Sequence, residues 1–149
     1  MKKLVIVSLA LIVLVPVAGR AQSEKDKEGV RQAVLDYVEG IYEVDHTCIE
    51  RSVHPELVKR GFFIKRGESA YTGTPMTYDQ LVNLAKTWNK DGNRAGKDSI
   101  KKVEIYDVLD QTASAKLTAV WGIDYMQLAK YDGKWKIVNI LWQTHPPKP

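Results

Sequence analysis

Residues Thr112 to Trp142 read TASAKLTAVWGIDYMQLAKYDGKWKIVNILW, and their pattern decides the fold. Asp132-Gly133 divides the stretch with a dipeptide that tolerates the positive φ of a tight turn, so two long antiparallel strands are expected. In the first arm, apolar residues fall at every second position: Ala113, Ala115, Leu117, Ala119 and Trp121. Polar Ser114, Lys116 and Thr118 lie between them, which describes a strand covering a core on one face only. An arm of about 20 residues exceeds the usual length of a strand, roughly 3–10 residues, so it is expected to bend. Gly122 is the expected hinge, since an interior glycine marks a bulge or a sharp bend. A long, bent hairpin makes a curved sheet, and its concave side can hold a ligand.

The 149 residues, 44% of them hydrophobic, suit one globular domain. The chain opens with a leader pattern. Lys2-Lys3 precedes an apolar run from Leu4 to Ala18, and Gly19-Arg20-Ala21 offers small residues before Gln22. The run is shorter than the roughly 20 apolar residues of a spanning helix, and Pro16 interrupts its end. The expectation is therefore a cleaved signal peptide over 1–21, no stable membrane anchor afterwards, and a single domain over 22–149, periplasmic or secreted. Removing Lys2, Lys3 and Arg20 lowers the formal net charge from +4 to +1, so the pI of 9.1 belongs largely to the leader. A near-neutral domain without a basic run gives no electrostatic reason to expect nucleic acid. The lysines and arginines read as solvated surface.

Cys48 is the only cysteine, so the domain is stabilised by its core rather than by disulfides. It reads as a small apolar residue rather than a nucleophile. His46 and His145 read as surface residues, and no histidine pair has metal-ligand spacing, so neither a metal nor a cofactor is expected.

Upstream, Val30, Val34, Tyr37, Val38, Ile41 and Tyr42 trace one stripe of a long amphipathic helix. Asp45 can cap a short second helix from His46 to Ser52, and His54-Pro55 breaks it. A first strand is expected over Leu57–Lys65 and a short return strand around Tyr71. Thr77 with Gln80 fits a capping box, opening a helix with Leu81, Leu84, Ala85 and Trp88 on its core face. Another strand follows from Lys102 to Leu109. Helices segregated from strands define an α+β domain.

This order, the His54-Pro55 after the second helix and the closing Asp132-Gly133-Lys134-Trp135-Lys136-Ile137 hairpin resemble the nuclear-transport-factor-2-like superfamily, which includes SnoaL-like cyclases and ketosteroid isomerases. The run Ala85 to Gly92, with Trp121-Gly122-Ile123-Asp124-Tyr125 and Val138-Asn139-Ile140-Leu141-Trp142, looks most like its lumazine-binding branch. The resemblance covers the whole mature chain. It implies a cone, that is, a strongly curved mixed or antiparallel sheet wrapped around about three helices. It also implies a pocket inside, a pteridine-like ligand and frequent homodimers through the sheet. The superfamily hosts isomerases, cyclases, hydrolases and non-catalytic proteins, so the fold alone licenses no activity.

Two residues are candidate acid-base groups. With a bulge at Gly122 the strand's facing flips, and Asp124 joins Leu117, Ala119 and Trp121 on the concave face, where apolar walls raise a carboxyl pKa. Without it, Asp124 lies in solvent with Lys116 and Thr118 or pairs across strands, the reading that the rarity of buried acids favours. His54, at a helix-to-strand junction, is either a pocket acid or a histidine bonded to backbone at the helix end, and the second is the ordinary case. The expected pocket residues are Tyr37, Trp88, Trp121, Tyr125 and Asn139, aromatic walls with a polar group suited to an apolar or heterocyclic ligand. Trp135 and Ile137 alternate as a core pair. With no complete catalytic set, the first expectation is a non-catalytic binder. The alternatives are an isomerase or cyclase using Asp124 with His54 or a tyrosine, and a homodimeric interaction module. In that module, Val120 and Ile140 face outward if no register shift intervenes.

Overall fold

The structure, a computed structural model, describes residues 18–147. The expected leader lies outside them up to residue 17. The elements are α1 (Ala18–Tyr42), α2 (His46–Ser52), β1 (Val53–Ile64), β2 (Tyr71–Met76), α3 (Tyr78–Ala85), β3 (Lys101–Val108), β4 (Thr112–Ala119), β5 (Gly122–Tyr131) and β6 (Lys134–Thr144). The strands form one curved, mixed sheet in the order β2-β1-β6-β5-β4-β3, with β1 and β6 parallel and the other pairs antiparallel. The concave side of this α+β cone wraps the apolar stripe of α1, where Val30, Val34, Tyr37, Val38 and Ile41 are all buried.

The helix starts follow local chemistry. Asp45 caps α2 by accepting from the Thr47 N–H at 3.0 Å. Thr77 and Gln80 close the expected capping box on α3. Past α3, the buried Asn89 amide donates to the Tyr42 and Ala95 carbonyls and accepts from the Arg94 and Ala95 N–H groups. That uses its full hydrogen-bonding capacity, so one side chain pins the polar loop against α1.

The Asp132-Gly133 turn forms as expected, with positive φ of 50° and 75° at its two residues. The first arm differs. It is not one bent strand but a second hairpin, in which Ala119 pairs with Gly122 across the two-residue turn Val120-Trp121. Valine and tryptophan are strand formers, so the alternation reads straight through them and hides the reversal. Gly122 closes that turn at φ 149°, and a Cβ there would lie 1.9 Å from the Gln143 carbonyl oxygen of β6. Glycine is therefore required by both backbone geometry and close approach.

The register shift sits elsewhere, in β6. Gln127 pairs with Asn139 and Leu128 with Ile137, so β6 carries one extra residue there. Trp135 and Ile137 face the core before it, as expected of a core pair, and Ile140 is fully buried after it. The register shift removes the condition on which an outward Ile140 depended, and Val120 packs half-buried against the core. β1 shifts register opposite the same point, between Val53 and Val58, and the strand already begins at Val53. Pro55 falls in this irregular stretch, where the ladder does not need its missing N–H.

Candidate functional site

Cross-strand pairing decides where Asp124 points. It lies opposite Leu117, in line with the Ala119–Gly122, Ala115–Met126 and Ala113–Leu128 pairs. Residues opposite each other share a face, so Asp124 joins the buried row without any bulge at Gly122. Its relative exposure is 0%, which overturns the solvent placement.

A carboxylate this deep needs hydrogen bonds. Trp121 Nε1 donates to Asp124 Oδ2 at 2.6 Å, and the Tyr37 hydroxyl donates to Oδ1 at 3.4 Å. That hydroxyl accepts in turn from Lys59 Nζ at 2.5 Å. Lys59 comes from β1 and is 6% exposed. Its ammonium lies 5.0 Å from the centroid of the Tyr37 ring and 5.9 Å from that of Trp142, within cation–π range. Burial pushes the Asp124 carboxyl above its ordinary pKa, against the opposing pull of Lys59, Trp121 and Tyr37. Burial lowers the Lys59 ammonium to about 8, partly offset by the Asp124 charge. Tyr37 is raised well above 10.0, first by burial and then by the neighbouring carboxylate. Lys59, Tyr37 and Asp124 thus form a hydrogen-bonded chain in which burial favours the neutral form of each group.

Beside this network lies a cavity of about 150 Å3. Its walls are the rings of Tyr37, Trp88, Trp121 and Trp142, with Ile41, Met76 and Leu84 between them and Lys59 at its edge. Trp121 is the hub of the wall, edge-on to Tyr37, Tyr42 and Trp88 with centroids 6.1, 5.5 and 5.5 Å away. Tyr42 stacks on Trp88 at 6.1 Å, and its hydroxyl bonds the backbone at Ile100 and Val120. Edge-to-face rings at these distances add packing energy beyond their area, so the wall is stiff. Asp124 is not in the lining, because Tyr37 and Trp121 stand in front of it. A larger depression of about 360 Å3, around Asp107, Leu109, Thr112 and Val138, lies open to solvent and contains none of the buried network.

Two donor groups on these side chains keep N–H bonds without a partner among the described residues. Lys59 Nζ spends one N–H on Tyr37. Trp142 Nε1 is buried and unbonded. The indole packs over Gly61, where a Cβ would come within 2.1 Å of Nε1, so only glycine lets Trp142 lie flat against β1.

Of the expected site residues, Tyr37, Trp88 and Trp121 line the cavity and Asp124 lies directly behind it. Tyr125 and Asn139 do not. Tyr125 follows Asp124 and therefore points outward, 48% exposed. Asn139 is turned outward by the β6 bulge and donates to Gln127 Oε1 at 3.1 Å. His54 is also placed elsewhere, stacked on Tyr131 at 4.3 Å with its Nδ1 accepting from the Glu56 N–H. Tyr131 is seven residues from Asp124 along β5, roughly 23 Å at about 3.3 Å per residue, so His54 and Asp124 cannot act together. Cys48 is buried, and its thiol is pushed up to about 11 by burial and then by Asp45, as an inert apolar residue would be. Lys59 is the residue that sequence reasoning missed. The alternation Leu57, Lys59, Gly61 carried the signal, but Val58 and Phe62 make an equally apolar row on the other face.

The curved sheet wrapped around its helices is a nuclear-transport-factor-2-like fold. Residues 25–143 match the family described as "Putative lumazine-binding", and the chain belongs to that family. Among solved structures, it is similar to an NTF2-like protein of unknown function from Shewanella baltica (18% identity, TM-score 0.58, 83% of this chain and 97% of that one). It is also similar to an NTF2-like protein with a cystatin-like fold from Novosphingobium aromaticivorans (13% identity, TM-score 0.59, 93% and 94%). A third, from the same organism, is described as a putative aromatic ring hydroxylase (12% identity, TM-score 0.53, 83% and 92%). At such identities the likeness concerns the fold alone. No curated protein matches the chain significantly.

Proposed function

We propose that this is an exported protein whose cone holds a small, flat molecule of one or two fused rings, without transforming it. The observation that carries this reading is the cavity of about 150 Å3, walled by four aromatic rings and bearing one charged residue, Lys59. A dry cavity of about that size accommodates a benzene ring. Lys59 Nζ is a donor, so the ligand carries an acceptor oxygen at that end. A pteridine dione such as lumazine carries such oxygens, in keeping with the family description. Steroids and flavins are too large for the cavity. Quenching of tryptophan emission by a panel of benzoate, lumazine, a flavin and a steroid tests this: the first two quench saturably, and a panel in which none does so overturns it. Export rests on the leader pattern of residues 1–21, and a mature N-terminus at Gln22 in secreted material is the expected outcome.

The Lys59–Tyr37–Asp124 chain favours a second reading, proton transfer to or from a bound carbon acid, with Tyr37 rather than His54 as partner. Deuterium uptake into a bound ketone, followed by NMR, separates the two. A homodimer through the outer face of the sheet is a further proposal. It rests on the paired Tyr125 and Leu141, 48% and 46% exposed, and a monomer in sedimentation would contradict it.

A further inference from the structure

The arrangement around Lys59 goes beyond what hydrogen bonding to a ligand requires. We propose that Lys59 captures carbonyl compounds covalently, its Nζ forming a reversible imine with a small aromatic aldehyde or ketone seated in the cavity. This rests on the binding reading above and names the ligand chemistry of the same site.

Three features of the geometry carry it. Nζ is buried at the cavity edge, with only one of its N–H groups engaged. Among the described residues no carboxylate forms an ion pair with it; Asp124 is reached through the Tyr37 hydroxyl, so the ammonium is not locked in a direct ion pair. The aromatic walls hold a ring beside the amine, which gives the reaction its proximity. Lysine becomes a nucleophile when an apolar pocket desolvates it. With the ammonium lowered to about 8, about a quarter is neutral at pH 7.5, against about 0.1% for an ordinary lysine. Lys136 is lowered as well, but its Nζ is held by the Glu50 and Arg51 carbonyls away from the cavity.

The step balances without oxidant or reductant. The lone pair of the neutral amine attacks the carbonyl carbon, and the C=O π electrons move to oxygen. A proton passes from Nζ to that oxygen, giving a carbinolamine. The remaining Nζ proton and the hydroxyl then leave as water, giving the imine. Tyr37, bonded to Nζ and backed by Asp124, can take and return these protons.

The test is reductive trapping. The purified protein is incubated with benzaldehyde and sodium cyanoborohydride at pH 7.5, and the products are located by intact mass and peptide mapping. The expected result is one benzyl group on Lys59, added at least tenfold faster than at any other lysine, slowed by excess benzyl alcohol and lost in Lys59→Arg. Labelling of Lys59 no faster than of exposed lysines overturns the proposal, whether or not the variant folds. Quenching of tryptophan emission by benzyl alcohol separates the two failures. If benzyl alcohol binds but Lys59 is not preferentially labelled, imine capture fails and the binding reading survives. If neither occurs, both fail.

Discussion

Lys59 and Asp124 share the hydroxyl of Tyr37, which accepts from the ammonium at 2.5 Å and donates to the carboxylate at 3.4 Å. All three groups are buried, so each depends on the others for its hydrogen bonding. Asp124 is the anchor, because it alone offers full negative charge to the cluster.

Removing that anchor leaves the Trp121 indole N–H and the Tyr37 phenol without an acceptor and the Lys59 ammonium without a nearby counter-charge. Asp124→Ala is expected to destabilise the fold by about 3–5 kcal/mol, the usual cost of stranding a buried charge. Asp124→Asn, which keeps the shape and one acceptor, is expected to cost about 1–3 kcal/mol. Urea denaturation of the two variants measures both, and an alanine variant as stable as the parent would remove the network's structural role.

The depressed Lys59 pKa sets a pH dependence. Between about 8 and 10.5 the unfolded chain binds a proton at this site that the folded chain has released, so stability rises with pH across that window. Below 8 both states are protonated and the contribution is flat. Tyr37, raised by burial, opposes the rise above pH 10, where the unfolded phenol ionises first. Denaturation midpoints from pH 7 to 10 should climb in the parent and stay level at this site in Lys59→Met; equal slopes would show that Lys59 does not titrate as placed.

Gly122→Ala places a Cβ 1.9 Å from the Gln143 oxygen at a positive φ, and is expected to cost about 3 kcal/mol or more. Gly96 has open space around it, so Gly96→Ala is the control, expected within about 0.5 kcal/mol of the parent. Thermal melts of the pair check the contrast.

Trp88 closes the cavity between Leu84 and Trp121. Trp88→Ala should widen it and shift preference toward larger ring systems, so that flavin binding, measured by calorimetry, improves relative to benzoate. Unchanged selectivity would place the ligand elsewhere.

Much of the cone was legible in the chain because its signals are local. The Asp132-Gly133 turn, the Asp45 and Thr77 caps and the α1 stripe each depend on a few neighbouring residues. What was hidden depends on pairing. The Val120-Trp121 reversal carries no turn chemistry, and the extra residue in β6 becomes visible only against Gln127 and Leu128. These two features decide the facing of Asp124, Asn139 and Ile140. Lys59 was hidden for a related reason: β1 is apolar on both faces, so its inward row could not be chosen before its partner strand was known.

The four indole N–H groups offer the most direct measurement. Trp88, Trp121 and Trp142 line the cavity, whereas Trp135 donates to Asp26 at 3.1 Å in another part of the core. In a nitrogen–proton NMR titration with benzoate or lumazine, the cavity assignment predicts saturable shifts of the first three indole signals and a stationary Trp135. Four stationary signals at saturating ligand, or a shift confined to Trp135, would contradict it.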